Sequence, residues 1–397
     1  MYIDGADVLG ASRLVVDGTS GVIGIVEAIH SAVLNNILPD TRAQSGLVES
    51  TASVYATVRT ITGAVGGALD AAVSPYISQV ASIKSTPKRE AVLAALNGLV
   101  GDHLAATQNP LAIRMRLRRG GRVIEPERSQ LASAIPNARE KVLLFLHGLC
   151  MNDLHWGRNG RNPGTVLAGE LGWTPVHLHY NTGLHVSTNG RALADLLEKV
   201  AREWPVPLRE LAIIGHSCGG LLARSAQYYG ALADHCWTKS LRYLVFLGTP
   251  HHGSALERAG NYVNVLLGTT PYSAPLGRLA RIRSAGITDM RYGNVVDGDW
   301  EGADRFQNTG DQRQPVPLPD NVRCFAIAAR NGGRSTKFGN GFGDGLVSVD
   351  SALGRHSDPG RTLLFAPSHQ LVVNRMTHCG LLTRAAVYRK LHEWLIS

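Results

Sequence analysis

The sequence predicts an α/β protein, a mostly parallel sheet with helices on both faces. Three observations predict it. Continuous apolar runs of strand length recur from residue 142 onward, and helical stretches at 188–203 and 219–232 separate the later ones, the pattern of βαβ units whose sheet is covered on both sides. The composition, 44% hydrophobic and 18% charged, is apolar enough for a sizeable core. The length, 397 residues, leaves room for one large domain with an extension.

Residues 1–110 read as a helical N-terminal extension. They are rich in Ala, Val, Gly and Ser, with helical spacing at 20–38, 53–73 and 89–107 and breaks near Pro39, Pro75 and Pro87. Residues 111–397 read as the catalytic domain. IRMRLR and RVIEP flank Gly120-Gly121, the signature of a two-residue hairpin. Strands are expected at VLLFLH (142–147), VHLHY (176–180), LAIIGH (211–216), LVFLG (244–248), VRCFAIAA (322–329) and TLLFA (362–366), and a last helix near 380–396. The stretch 255–320 breaks the rhythm and is too long for a plain loop, so an inserted lid or cap is expected there.

Several function classes are disfavoured. No run of about 18 apolar residues is present, and the start, MYIDGADVLG, lacks the basic and apolar regions of a secretory signal. The five cysteines form no CxxC pair, so neither a disulfide framework nor a zinc site is suggested. A reduced, cytoplasmic setting follows as the expectation, with no cofactor and no metal. The net charge of +9 suits an anionic membrane surface and peripheral contact with it. The densest basic cluster, Arg114, Arg116, Arg118, Arg119 and Arg122, has no interleaved aromatics and no accompanying nucleic-acid motif. It reads as a solvated basic face, and no nucleic-acid partner is expected.

The chemistry is carried by Gly215-His216-Ser217-Cys218-Gly219, a G-x-S-x-G. The bare pattern arises easily by chance in a glycine-rich chain; its context is what counts. A buried strand runs into it and a helix leaves it, as a nucleophile elbow requires. A serine needs a base to take its proton and a carboxylate to orient that base. After the strand at 322–329, the candidates for the acid are Asp344 and Asp350, with Asp344 favoured on its turn between glycines. His356 precedes the strand expected at 362–366; His369 and His378 follow it. His378, at the mouth of the final helix, is favoured over His369 as the base. The backbone N–H of Cys218 is one oxyanion donor, and that of Leu149, in FLHGLCMND, the other. His147, Gly148, His216 and His251 are placed beside the substrate, His147 as a residue that fixes the loop. The His251-His252 pair lacks further ligands at metal spacing.

Taken together, HGL (147–149), GHSCGG (215–220), GTPHHGS (248–254), GDGLVS (343–348) and THCGLL (377–382) resemble the α/β-hydrolase superfamily. More narrowly, they are similar to bacterial lipases and the lipase-like GPI inositol-deacylase group. The resemblance spans about 135–397 and implies a Ser217–Asp344–His378 triad with Leu149 and Cys218 as oxyanion donors. It implies a serine ester hydrolase, esterase or lipase, acting through an acyl-enzyme on lipid-like acyl esters. Apolar segments at 262–268 and 275–282 suit contact with an acyl chain or a lipid surface, and ordinary packing of the cap explains them equally well. An amidase or thioesterase with the same triad, or a non-catalytic lipid-binding protein on this fold, are the alternatives.

Overall fold

Val-, Leu-, Ile- and Phe-rich runs form the strands of a single eight-stranded sheet. The computed structural model describes residues 10–11, 13–14, 86–157, 162–254, 257, 283–307, 310–332 and 343–396. The helices expected at 20–38 and 53–73, and residues 255–256, 258–282 and 308–309 of the expected cap, lie outside the described residues. The chain divides into two compact units, one of Met1–Thr86 with Leu104–Ala112, the other of Pro87–His103 with Ile113–Ser397. In the first, the Asn109 side chain donates to the Gly10 carbonyl at 3.0 Å and accepts from the Leu111 N–H at 3.0 Å.

The strands are β1 (Arg116–Arg119), β2 (Arg122–Ile124), β3 (Lys141–Leu146), β4 (Thr174–His179), β5 (Glu210–His216), β6 (Leu241–Leu247), β7 (Arg323–Arg330) and β8 (Gln370–Asn374). Helices among the described residues are α1 (Pro87–Ala106), α2 (Arg128–Ala134), α3 (Pro163–Glu170), α4 (Val186–Glu203), α5 (Cys218–Leu232), α6 (Ala285–Asp289), α7 (Val349–Ala352) and α8 (Ala385–Ile396). None of them is long and apolar enough to cross a membrane.

The strand order is β2-β1-β4-β3-β5-β6-β7-β8. β1 is antiparallel to β2 and to β4, and every pairing from β4 to β8 is parallel. This is the α/β-hydrolase fold. Successive side chains on a strand point to opposite faces, and both faces are covered. Ala212, Ile214, Val245, Leu247, Phe325 and Ile327 join Trp156, Leu167, Leu391 and Trp394 in one apolar cluster beneath α3 and α8. Their neighbours Ile213, Leu244, Phe246 and Ala326 are equally buried on the other face, where α4 packs on α5 and α5 on β5.

Two sequence expectations are corrected. TLLFA is not a strand. Leu363 N–H bonds to Gly354 and Phe365 N–H turns back to Leu363 at 3.0 Å, so the segment buries Leu363 and Phe365 while leaving Leu364 87% exposed. Pro367 follows at once, and the last strand is QLVVN, which pairs with β7. The basic cluster is not a purely solvated face either. Arg118 lies on β1 with its side chain only 12% exposed, paired with Glu90 at 2.8 Å and Asp153 at 3.1 Å.

Candidate active site

The order of strands fixes where chemistry can occur. β3 has β4 on one side and β5 on the other, so the crossovers leave it in opposite directions and a crevice opens beyond the carboxyl ends of β3 and β5. The loop holding Gly148 leaves β3 there, and Ser217 stands at the end of β5.

Ser217 links strand to helix with φ 55 and ψ −127, a conformation strained for a residue with a Cβ. The turn is held by Ser217 N–H donating to Leu247 O at 2.9 Å and by Gly220 N–H donating to Ser217 O at 3.0 Å. Glycine at 219 is required by contact: a Cβ there would lie 2.5 Å from the Leu146 carbonyl oxygen and 2.6 Å from that of His147. α5 begins at Cys218, so its first N–H groups and the positive end of its dipole face the serine.

His378 opens a short 3₁₀ turn, His378–Leu382, that Thr377 caps by accepting from Gly380 N–H. Its Nδ1 donates to Asp344 Oδ2 at 2.7 Å, and both residues are buried. Asp344 is held in turn by the N–H groups of Leu346 (3.0 Å) and Val347 (2.9 Å), which donate to Oδ1. Burial pushes the Asp344 carboxyl up, but its pairing with His378 and those two N–H groups outweigh it and hold its pKa below the usual carboxylate range. The Nε2 of His378 is buried without a hydrogen-bond partner among the described residues. The imidazole lies against the end of β6, since a Cβ on Gly248 would sit 3.2 Å from it, and Ser217 is bonded to the residue just before, Leu247.

His216, the residue before the serine, locks this corner. Its Nε2 donates to the His378 carbonyl oxygen at 3.1 Å, and the two rings are 4.7 Å apart. Burial, with His378 nearby, lowers its pKa to about 3, so it is neutral here.

The loop after β3 approaches the serine from the other side. A Cβ on Gly148 would lie 3.1 Å from Ser217 Cβ and 3.0 Å from His216 Nδ1, so any larger residue would press these neighbours back by a few tenths of an ångström. Burial pushes the Cys218 thiol up to about 12, against a hydrogen bond with Tyr180 and the pull of two backbone N–H groups, its own and that of Leu149. The two amides expected to stabilise an oxyanion thus both lie near the Cys218 thiol.

The other expected residues are placed as follows. His147 is buried and stacks on Tyr180 with ring centres 4.4 Å apart, and its Nδ1 donates to Gly148 O at 3.0 Å; burial and the nearby His179 keep it neutral. His251 contacts Phe246 and Phe365 (4.8 and 5.7 Å between ring centres) and lines a cavity to which none of Ser217, Asp344 and His378 contributes. Asp350 lies on α7 with an exposed side chain 3.6 Å from Arg355. His369 precedes β8, donating to Cys324 O at 3.2 Å and packing on Phe325. His356 sits 3.7 Å from Asp311.

Sequence reasoning missed the supports of the β3 loop. Tyr180 donates to His147 O at 2.8 Å and sits 3.6 Å from Cys218 Sγ, and Thr182 Oγ1 accepts from Cys150 N–H. Asp153 ties the far end of the loop to Arg118. The only available signal was that Tyr180 ends the VHLHY run; the Arg118–Asp153 partnership joins residues 35 apart.

Residues 185–312 match the model of the PGAP1-like alpha/beta domain, about a third of the chain. Among solved structures, the mature form of the Bacillus licheniformis lipase BlEst2 is similar at 17% identity over 71% of this chain and 98% of its own, with TM-score 0.42. A hyperthermophilic esterase from Pyrobaculum calidifontis is similar at 13% identity over 81% and 94%, with TM-score 0.41. Phospholipase PlaB from Legionella pneumophila is similar at 16% identity over 64% and 63%, with TM-score 0.38. No curated protein sequence matches. The fold assignment rests on the strand order and on the turn at Ser217, not on these likenesses.

Proposed function

From an α/β-hydrolase fold whose residues 185–312 match the PGAP1-like alpha/beta domain, we propose that the chain is a serine carboxylic-ester hydrolase acting on lipid-like acyl esters. The observation that carries this reading is the buried Asp344–His378 pair, 2.7 Å apart, set at the end of β6 beside the strained turn of Ser217. Residues 111–397 are then the catalytic domain, with 255–320 as its cap and 1–110 as an extension.

In the proposed reaction, Ser217 Oγ attacks the ester carbonyl while His378 Nε2 takes its proton. The negative oxygen of the tetrahedral intermediate accepts from Leu149 and Cys218 N–H, two donors fixed before substrate arrives and so needing no reorganisation. His378 returns the proton to the leaving alcohol, giving an acyl-enzyme. Water, deprotonated by the same imidazole, then releases the carboxylic acid and restores the serine. Asp344 holds the imidazole with Nδ1–H toward itself and Nε2 toward the serine, and favours the imidazolium that forms. His216 and Tyr180 fix the imidazole backbone and the oxyanion loop.

The test is hydrolysis of p-nitrophenyl esters from short to long acyl chains by wild type and Ser217→Ala. The expected result is a loss of about 10⁴-fold or more in kcat in the variant, labelling of wild type alone by a fluorophosphonate, and a preference for long chains. Full activity in Ser217→Ala would overturn the reading, and faster cleavage of matched anilides than of esters would replace it with an amidase.

A further inference from the structure

A second site lies on the α5 side of the fold, in a cavity of about 250 Å³ lined by Arg224, Arg313, Arg361, His251, His252 and Gln314 among others, with no carboxylate in its lining among the described residues. We propose that this cavity binds a phosphoryl group. The proposal is independent of the hydrolase reading, because binding alone can test it.

Arg224 gives the first reason. It lies on α5 seven residues after Ser217, two helical turns or about 10 Å along the axis. It is 6% exposed. Its Nη2 donates to Val316 O at 2.6 Å, but its Nε is buried without a partner among the described residues. A buried guanidinium is costly unless paired. Here burial and the neighbouring Arg313 bring its pKa down to about 10, against the opposing pull of Asp299.

His251 gives the second. It is fully buried, and neither ring nitrogen has a partner among the described residues. Burial, with Arg224, His252 and Arg313 nearby, holds it neutral, so its one N–H is a buried donor without a partner among the described residues.

The remaining walls are built and rigid. Arg313 donates to His251 O at 2.9 Å and Gly293 O at 3.0 Å through Nη1, and to Asp311 at 2.7 Å and His252 Nδ1 at 3.3 Å through Nη2. Arg361 donates to Arg313 O at 2.8 Å and to Asp311 at 3.2 Å, and Asp358 lies 3.4 Å from its Nε. Asp311 thus serves two arginines at once, and Asp299 is taken up by the N–H groups of Val295, Val296 and Gln314. Among the described residues, that leaves Arg224 as the guanidinium of this cavity with no carboxylate within hydrogen-bond reach.

Size and shape select the ligand. A volume of 250 Å³ falls below the roughly 300–1,000 Å³ of pockets that enclose a whole drug-sized molecule. One arginine fork can satisfy a planar carboxylate. Guanidinium and imidazole donors on separate walls suit a group with three acceptor oxygens.

The phosphoryl group has two sources, a headgroup carried by the ester substrate or a free phosphate-type ion. The first measurement is titration of the full chain with inorganic phosphate at low salt, followed calorimetrically. Wild type is expected to bind, and Arg224→Gln at least about tenfold more weakly. Arg361→Gln, at a side chain 20% exposed, gives a second reading if loss of the buried arginine unfolds the protein. The sources separate in kinetics. If the group belongs to substrate, added phosphate weakens the apparent affinity for a monoacylglycerol phosphate but not for the matching neutral monoacylglycerol; a free-ion site leaves the two esters equally affected. No phosphate binding by wild type up to tens of millimolar, or equal binding by wild type and both variants, overturns the proposal.

Discussion

Asp344 stands between Gly343 (φ 46) and Gly345 (φ 101), and that backbone aims its carboxylate at His378 while two N–H groups hold its other oxygen. An amide in its place keeps the shape and loses the charge that favours imidazolium. It also allows the tautomer with the proton on Nε2, which cannot take a proton from Ser217. For Asp344→Asn, kcat on a p-nitrophenyl ester is therefore expected to fall about 10³–10⁴-fold with little change in KM. Asp350→Asn, at an exposed carboxylate 3.6 Å from Arg355, is expected to stay within about twofold of wild type. Steady-state kinetics of the two variants decide between these carboxylates, and the reverse pattern would move the acid to Asp350.

At the scale of elements, the decisive contact is the one between the start of α5 and the end of β3. Gly219 lets the helix press on the carbonyls of Leu146 and His147, and a methyl group there would lie about 2.5 Å from the Leu146 backbone, which pairs with β5. Gly219→Ala must push α5 away from the loop bearing Leu149, so both stability and kcat should fall, stability by about 1–3 kcal/mol. Gly169→Ala, exposed in α3 with nothing near its Cβ position, should instead gain about 0.5–1 kcal/mol by helix propensity and leave kcat unchanged. Urea unfolding and kinetics on the two variants check this, and an unperturbed Gly219→Ala would show that the close approach is not needed. The same scale marks how far the sequence could be read. The runs from 142 to 247 and at 322–329 are buried on both faces, so hydropathy alone places β3 to β7. TLLFA has the composition of a strand, but a hydrogen bond that turns back on itself and the following proline take it out of the ladder, and the less apolar QLVVN pairs instead. Ser217, Asp344 and His378 stood out as candidates because their motifs are local, and the structure brings the last two together. Tyr180, Thr182 and the Arg118–Glu90–Asp153 group were not, since what matters there is which distant residues meet.

Across the whole molecule, the histidines set how the fold responds to acid. Seven of them among the described residues, His147, His155, His177, His179, His216, His251 and His252, are held below the ordinary imidazole pKa of 6.5, with burial the largest cause for each. His177 and His252 are lowered to about 4, and His179 and His216 to about 3. Below pH 6.5 the unfolded chain takes up protons that the folded chain refuses, so the sign is unfavourable: stability falls as pH drops from 6.5 toward 4. Glu257 runs the other way. Burial pushes it up to about 7, so it is protonated when folded in the same window and offsets one histidine; Asp153, also raised by burial, acts in that direction too. Asp344, lowered by His378, contributes stability above its ordinary pKa that is lost only at still lower pH. The histidines outnumber the carboxylates that oppose them, so unfolding takes up several protons, each worth about 1.4 kcal/mol per pH unit, and the loss between pH 6 and 5 is a large share of the roughly 5–15 kcal/mol typical of a folded domain. Urea unfolding of the full chain from pH 7.5 to 5 should therefore show a midpoint that falls steeply below pH 6.5, with a slope reporting at least two protons. A midpoint that stays level down to pH 5 would mean that these imidazoles are protonated in the native state, and that burial does not keep them neutral.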